Sequence, residues 1–186
     1  MSKIKINYDK VQPLDMVVFS GKGFNPCCCR FSTTGDIFSI FDQSIPCHIG
    51  TIIKWEGIHF IAESRSGGVQ LNSIENYLDT KNKRYILDIK RDPVFNDQTI
   101  QTIVQKQIAT DINNMVEFDY KGMFRSLFAL FGFKYQHTTG AYYCSEYYYH
   151  LTGDYVDYPK YFENNKILPQ EIARTASFVS TGAIVV

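Results

Sequence analysis

Apolar and polar residues alternate over several short runs of this chain, and the clearest runs are rich in β-branched residues. Leu14 to Ser20 (Leu-Asp-Met-Val-Val-Phe-Ser) opens after Pro13 and stops at Gly21-Lys22-Gly23, the punctuation expected of a strand. Lys3 to Tyr8 alternates and predicts an edge strand. His48 to Lys54 and Ile58 to Ser64 are two more β-rich runs. Glu56-Gly57 lies between them, so they read as a hairpin. Arg84 to Lys90 alternates as a further strand, and Ala176 to Val186 as a final one.

Elsewhere the apolar period changes from two to about three and a half. Asp97 is placed to cap a helix whose apolar positions are Ile100, Ile103, Val104, Ile108 and Ile112. A short helix after Thr34 carries Ile37, Ile40 and Phe41, and residues 24–33 before it form a loop. A helix near Tyr120 to Phe131 lines up Phe124, Leu127, Phe128 and Phe131, the stripe of a core helix. The next begins close to Cys144 and runs to about Leu151, where Thr152-Gly153 stops it. Strands first and last, with helices grouped between Asp97 and Leu151, predict α+β rather than a doubly wound sheet. No repeat, linker or low-complexity block interrupts the pattern, so the expectation is one domain over residues 1–186.

Composition narrows the possibilities. Apolar residues make up 45% of the 186 and charged residues 20%, an ordinary globular mix. Acidic and basic residues cancel at 19 each, which leaves no broad electrostatic footprint for nucleic acid or anionic membrane. Met123 to Phe133 is interrupted by Arg125 and Ser126 and is too short to span a bilayer. The chain does not open with a basic segment and an apolar run, and the expected location is cytoplasmic. The cysteines number five, an odd count, and Cys27-Cys28-Cys29 are consecutive. That suits neither a disulfide framework nor a tetrahedral metal clamp, and a reduced compartment is the simpler reading. Gly21-Lys22-Gly23 and Gly67-Gly68 read as turn glycines, not as a phosphate loop.

The hairpin carries candidate chemistry. With Glu56-Gly57 as a two-residue turn, Trp55 faces Ile58 and the pairing runs back to Gly50 opposite Glu63. His48 then shares a face with Gly50 and becomes the diagonal neighbour of Glu63, with backbones roughly 7–8 Å apart. A carboxylate there accepts a hydrogen bond from the imidazole and fixes its tautomer. Gly50, without a side chain, leaves room beside the pair. Cys144 falls where a helix starts, and the partial positive charge of a helix N-terminus lowers a thiol's pKa. Thiol, imidazole and carboxylate are the parts of a cysteine nucleophile with its base and the group that orients the base.

Taken singly, each residue has a plainer explanation. A lone cysteine is most often a small buried hydrophobe, a strand histidine a satisfied core residue, and a strand glutamate a solvated one. Cys47 should point away from His48 and reads as core. Cys27, Cys28 and Cys29 have no helix dipole behind them, and His59, His137 and His150 lack a comparable setting. A zinc site from Cys47, His48 and a loop cysteine lacks ligand spacing.

Order along the chain adds a resemblance. His48 and Glu63 come first and Cys144 comes late, whereas ordinary papain-like enzymes place the cysteine helix before the histidine strand. Cys47-His48-Ile49-Gly50 with Ile61-Ala62-Glu63, Gly68-Val69-Gln70-Leu71, Glu117-Phe118-Asp119-Tyr120, Tyr143-Cys144-Ser145-Glu146 and Leu168-Pro169-Gln170-Glu171-Ile172-Ala173 follow in that sequence. So arranged, and opened by Pro13-Leu14-Asp15-Met16-Val17-Val18-Phe19, the chain resembles the circularly permuted papain-like amidases of the NlpC-type cysteine hydrolase superfamily. It departs at Leu14, where a Gly is usual, and at Phe118, where a Tyr is common. The resemblance implies an antiparallel sheet or partial barrel packed against a few helices. It also implies Cys144 as nucleophile, His48 as base and Glu63 as orienting group, with no metal or organic cofactor. The implied substrate is a small peptide, an amino-acid amide or an acyl compound. Alternatives are acyl transfer to or from a lipid, and a binding module that keeps the scaffold without the chemistry.

Overall fold

The computed structural model describes residues 4–21, 46–79, 84–121, 140–159, 167 and 169–185. Its strands are β1 (Lys5–Ile6), β2 (Met16–Gly21), β3 (His48–Trp55), β4 (Ile58–Arg65), β5 (Gly68–Ser73) and β6 (Arg84–Arg91), then β7 (Glu117–Phe118), β8 (Ala141–Tyr142), β9 (Val179–Ser180) and β10 (Ile184–Val185). Its helices are α1 (Gln98–Asn113), α2 (Cys144–Thr152) and α3 (Pro169–Ala173). The loop at 24–33, the short helix after Thr34 and most of the aromatic helix from Tyr120 to Phe131 fall outside the described residues.

Six strands form one antiparallel sheet in the order β5-β4-β3-β2-β6-β9. The sheet is open, with β5 and β9 at its edges, so the α+β expectation holds at that level and the sheet does not close into a barrel. Hairpin chemistry explains the central pair. Glu56 and Gly57 both have positive φ, 49° and 83°, the backbone a two-residue primed turn requires, and Trp55 pairs directly with Ile58. A second tight turn at Ser66-Gly67 sets Arg65 opposite Gly68 and adds β5, so of the two predicted turn glycines Gly67 lies in the turn and Gly68 opens a strand.

Alternation along the strands builds two apolar layers. Leu14, Met16, Val18, Ile49, Ile53 and Ala62 face the helices and pack with Val104 and Ile108 of α1 and Tyr147, Tyr148 and Leu151 of α2. Val17, Phe19, Ile52, Ile61, Ile86 and Ile89 form the other layer, closed by Ile74 and Tyr77 from the turn after β5. In α1 the Asp97 carboxylate accepts from Thr99 N at 2.7 Å, the expected cap. Val104 and Ile108 are buried, but Ile103 is 50% exposed, a correction to the predicted apolar stripe. Ile100, Val104, Ile108 and Ile112 recur every four residues on one arc, and Ile103 lies off it.

The C-terminal run is likewise two strands, not one. Val179–Ser180 pairs with β6, and Ile184–Val185 pairs with β1, which makes β1 part of a separate two-stranded sheet. Thr181 and Gly182 break the run, with Gly182 at φ 62°. Among the described residues, no helix is long and apolar enough to cross a membrane.

Candidate functional site

β3 begins and β4 ends at the same border of the sheet. The observed pairing runs from Trp55 opposite Ile58 to Thr51 opposite Ala62. Two positions on, His48 and Glu63 stand on one face as diagonal neighbours, the register the hairpin turn dictates. His48 Nε2 is hydrogen-bonded to Glu63 Oε2, and both residues are buried. A Cβ added at Gly50 would meet Ile61 Cγ2 at 2.6 Å and Glu63 Cβ at 3.3 Å, so a side chain there would crowd the carboxylate's strand.

Glu63 is the hub of a wider network. Its second oxygen, Oε1, accepts from the Tyr77 hydroxyl and, at 2.8 Å, from Asn72 Nδ2. Arg65 Nη1 lies 3.6 Å from the same oxygen and donates to the Tyr77 hydroxyl at 2.9 Å. Burial acts to raise the Glu63 carboxyl's pKa. The His48 charge, the hydrogen bonds from His48 and Tyr77, and the Arg65 charge outweigh it and hold the carboxyl below its ordinary range. Phe19 walls the imidazole with ring centroids 5.3 Å apart, and Tyr77 meets Phe19 edge-on at 4.9 Å.

Asn72 and Tyr77 were missed in the sequence. The Ser66-Gly67 turn was a usable signal for Asn72. It sets Glu63 opposite Gln70 and Ile61 opposite Asn72, so Asn72 is a diagonal neighbour of Glu63. Tyr77 sits in a short 3-10 turn with no periodic pattern.

Cys144 is the first residue of α2, as expected, and is 4% exposed. The start of this helix is tied down on several sides. The Ser64 hydroxyl donates to Tyr142 O at 2.6 Å, from the residue next to Glu63. Tyr142 also pairs in parallel with Phe118, joining β8 to β7. Glu146 accepts from Tyr143 N at 3.3 Å, and Ser145 Oγ donates to Ile167 O at 2.5 Å. These bonds bring Cys144 to the border of the sheet where His48 lies. The rest of α2 lies across the helix-covered face, with Tyr147 and Tyr148 packed in the layer of Ile49, Ile53 and Ala62. His48 and Glu63 point to the opposite face. The structure therefore joins His48 to Glu63 directly, and the Ser64–Tyr142 bond ties the start of α2 to the same end of the β3–β4 pair.

The other candidates fall elsewhere. Cys47 is buried at the entry to β3. His59 stacks on Tyr8 at 5.0 Å and His150 on Tyr142 at 4.5 Å. His137 and Cys27 to Cys29 lie outside the described residues. Among the described residues, no three His, Cys, Asp or Glu side chains gather as metal ligands do. No protein-family model matches this chain, and no curated protein matches it either.

Proposed function

We propose that this chain is a cysteine hydrolase that cleaves an amide or peptide bond, on a permuted papain-like scaffold. The observation that carries the reading is the buried His48–Glu63 pair at the end of the sheet where Cys144 opens α2. With Glu63 engaging Nε2, the base role toward the thiol falls to Nδ1 in this reading. His48 takes the thiol proton, and the Cys144 sulfur attacks the substrate carbonyl carbon. The carbonyl π-electrons move to oxygen, where a backbone N–H at Cys144 or a neighbour stabilises the charge. Collapse expels the amine, which takes its proton from His48, and leaves a thioester. Water, deprotonated by His48, then releases the acid and restores the thiol.

Geometry sets one condition on this mechanism. Sulfur and imidazole have to come within reach of each other at the start of β3, beside the Glu63 carboxylate. That condition, with the burial of Cys144, favours a second reading in which the scaffold binds without chemistry.

Labelling with an electrophilic amide-directed probe, followed by mapping of the modified residue, separates the two. The hydrolase reading expects modification at Cys144 faster than for an ordinary thiol of pKa about 8.5. It also expects His48→Ala to slow that modification on the order of 10²-fold. Equal rates in both proteins would leave only the binding scaffold.

A further inference from the structure

At the far end of β3 a cavity of about 570 Å³ opens between the sheet and one flank of α1. Ile53, Trp55, Leu71, Ile108 and Ile112 line most of it. Seven residues of extended strand, roughly 23 Å, separate Trp55 from His48, so this cavity is not the site described above. Its size falls within the range of about 300–1,000 Å³ typical of small-ligand pockets.

Two features give the cavity a polarity. Among the described residues its lining includes two lysines, Lys54 and Lys106, and no Asp or Glu. Lys54 stands opposite His59 across the hairpin, and its charge disfavours the protonated imidazole there. Lys106 lines the cavity from α1, and among the described residues its ammonium has no ion-pair partner. Thr102, Gln105 and Asn113 line the cavity from the same helix; Thr102 and Gln105 also donate to the carbonyls of Gln98 and Gln101. The arrangement is therefore an apolar trough with two cations at its border, of which Lys106 stands on the helical wall among polar side chains.

We infer that this trough binds an amphipathic monocarboxylate, with its hydrocarbon tail against Ile53, Leu71, Ile108 and Ile112 and its carboxylate at Lys106. An uncharged apolar ligand would use the floor and gain nothing from the exposed Lys106 ammonium. A polar anion without a tail would leave the apolar floor wet. A fatty acid of moderate length satisfies both. The site stands independently of the hydrolase reading.

Trp55 is the single tryptophan of the chain and stands 58% exposed at the cavity wall, so its emission reports occupancy directly. The full chain is titrated with straight-chain carboxylates from hexanoate to dodecanoate, each below its micelle-forming concentration. Bound tails should shift Trp55 emission to the blue, and affinity should rise about fourfold per added methylene until the trough is full. Lys106→Gln should weaken carboxylate binding roughly threefold and leave the alcohol of equal length unchanged. Ala109→Phe, on the exposed flank of α1, should block both ligands while the far-ultraviolet spectrum stays native. Equal loss of acid and alcohol in Lys106→Gln would overturn the proposal, as would affinity indifferent to chain length. A Trp55 response to phosphatidylcholine vesicles alone, with none to monomeric carboxylates, would also overturn it and make this end of the sheet a membrane-contacting surface.

Discussion

Tyr77 donates its hydroxyl to the oxygen of Glu63 that His48 does not use. The two donors, from opposite sides of one carboxylate, fix its plane, and that plane orients the imidazole. Asn72 adds a third donor and Arg65 a nearby positive charge. A carboxylate taken fully out of water survives as an anion only when its oxygens are satisfied in this way.

Tyr77→Phe removes one of those donors and keeps the ring against Phe19. Hydrogen bonds to a charged group contribute about 1.5–3 kcal/mol, so the variant should lose about 2 kcal/mol of unfolding free energy. Urea unfolding checks this, with an unchanged m-value marking a pure stability effect. A loss below about 0.5 kcal/mol would mean that water or Arg65 takes over the hydroxyl's place.

Glu63→Gln keeps the shape of the side chain and removes its charge. The His48 imidazolium then loses its counter-ion, and the ring should titrate at lower pH than in the parent protein. Following the His48 ring proton by NMR across the neutral range reads the shift without any substrate. The same variant should slow probe labelling of Cys144 on the order of 10²-fold, if the ring serves as its base. A displaced His48 titration with unchanged labelling would uncouple the buried pair from the thiol.

Acid should weaken the fold through Glu63. Its carboxyl titrates below the ordinary value of 4.5, so the folded chain holds that proton less tightly than the unfolded one. The resulting stabilisation is complete above 4.5 and is lost as the pH falls through the lower folded value. Asp15 contributes with the opposite sign. Burial raises its pKa despite hydrogen bonds from Arg91 at 2.6 and 2.8 Å, so its contribution is lost as the pH rises. Urea midpoints from about pH 6 to about pH 3 should therefore fall with acid in the parent. They should fall less steeply in Glu63→Gln. Parallel curves for the two proteins would assign the acid sensitivity to other groups.

How much of this was legible in the chain depended on the range of the signal. The His48–Glu63 contact was readable because a two-residue turn fixes the parity of every pair behind it, and parity decides which side chains share a face. Cys144 at a helix start was readable from the local pattern. Tyr77 was not, because its approach to Glu63 depends on how the segment after β5 folds back over the sheet. Nor were β7 and β8, two residues each and joined in parallel across more than twenty positions, since pairing that short leaves no periodic trace. Which face of the sheet the body of α2 covers was also hidden, because it depends on how Tyr147 and Tyr148 pack against Ile49, Ile53 and Ala62.

Gly50 offers the sharpest test of the hairpin's role. It stands between His48 and Ile52 on the same face, beside Glu63, and a Cβ there would lie 2.6 Å from Ile61 Cγ2 and 3.1 Å from Ala62 O. The first of these neighbours is a branched side chain packed in the inner layer, and the second is backbone held by the β4–β5 ladder. Neither yields cheaply. Gly50→Val should therefore cost about 1–3 kcal/mol by overpacking, even though valine favours strands elsewhere. Because β3 and β4 must separate to accept the side chain, the His48–Glu63 bond should lengthen as well. The His48 ring would then titrate as it does in Glu63→Gln. A Gly50→Val protein as stable as the parent, with an unshifted His48 titration, would show that the space beside the pair is not what glycine supplies at this position.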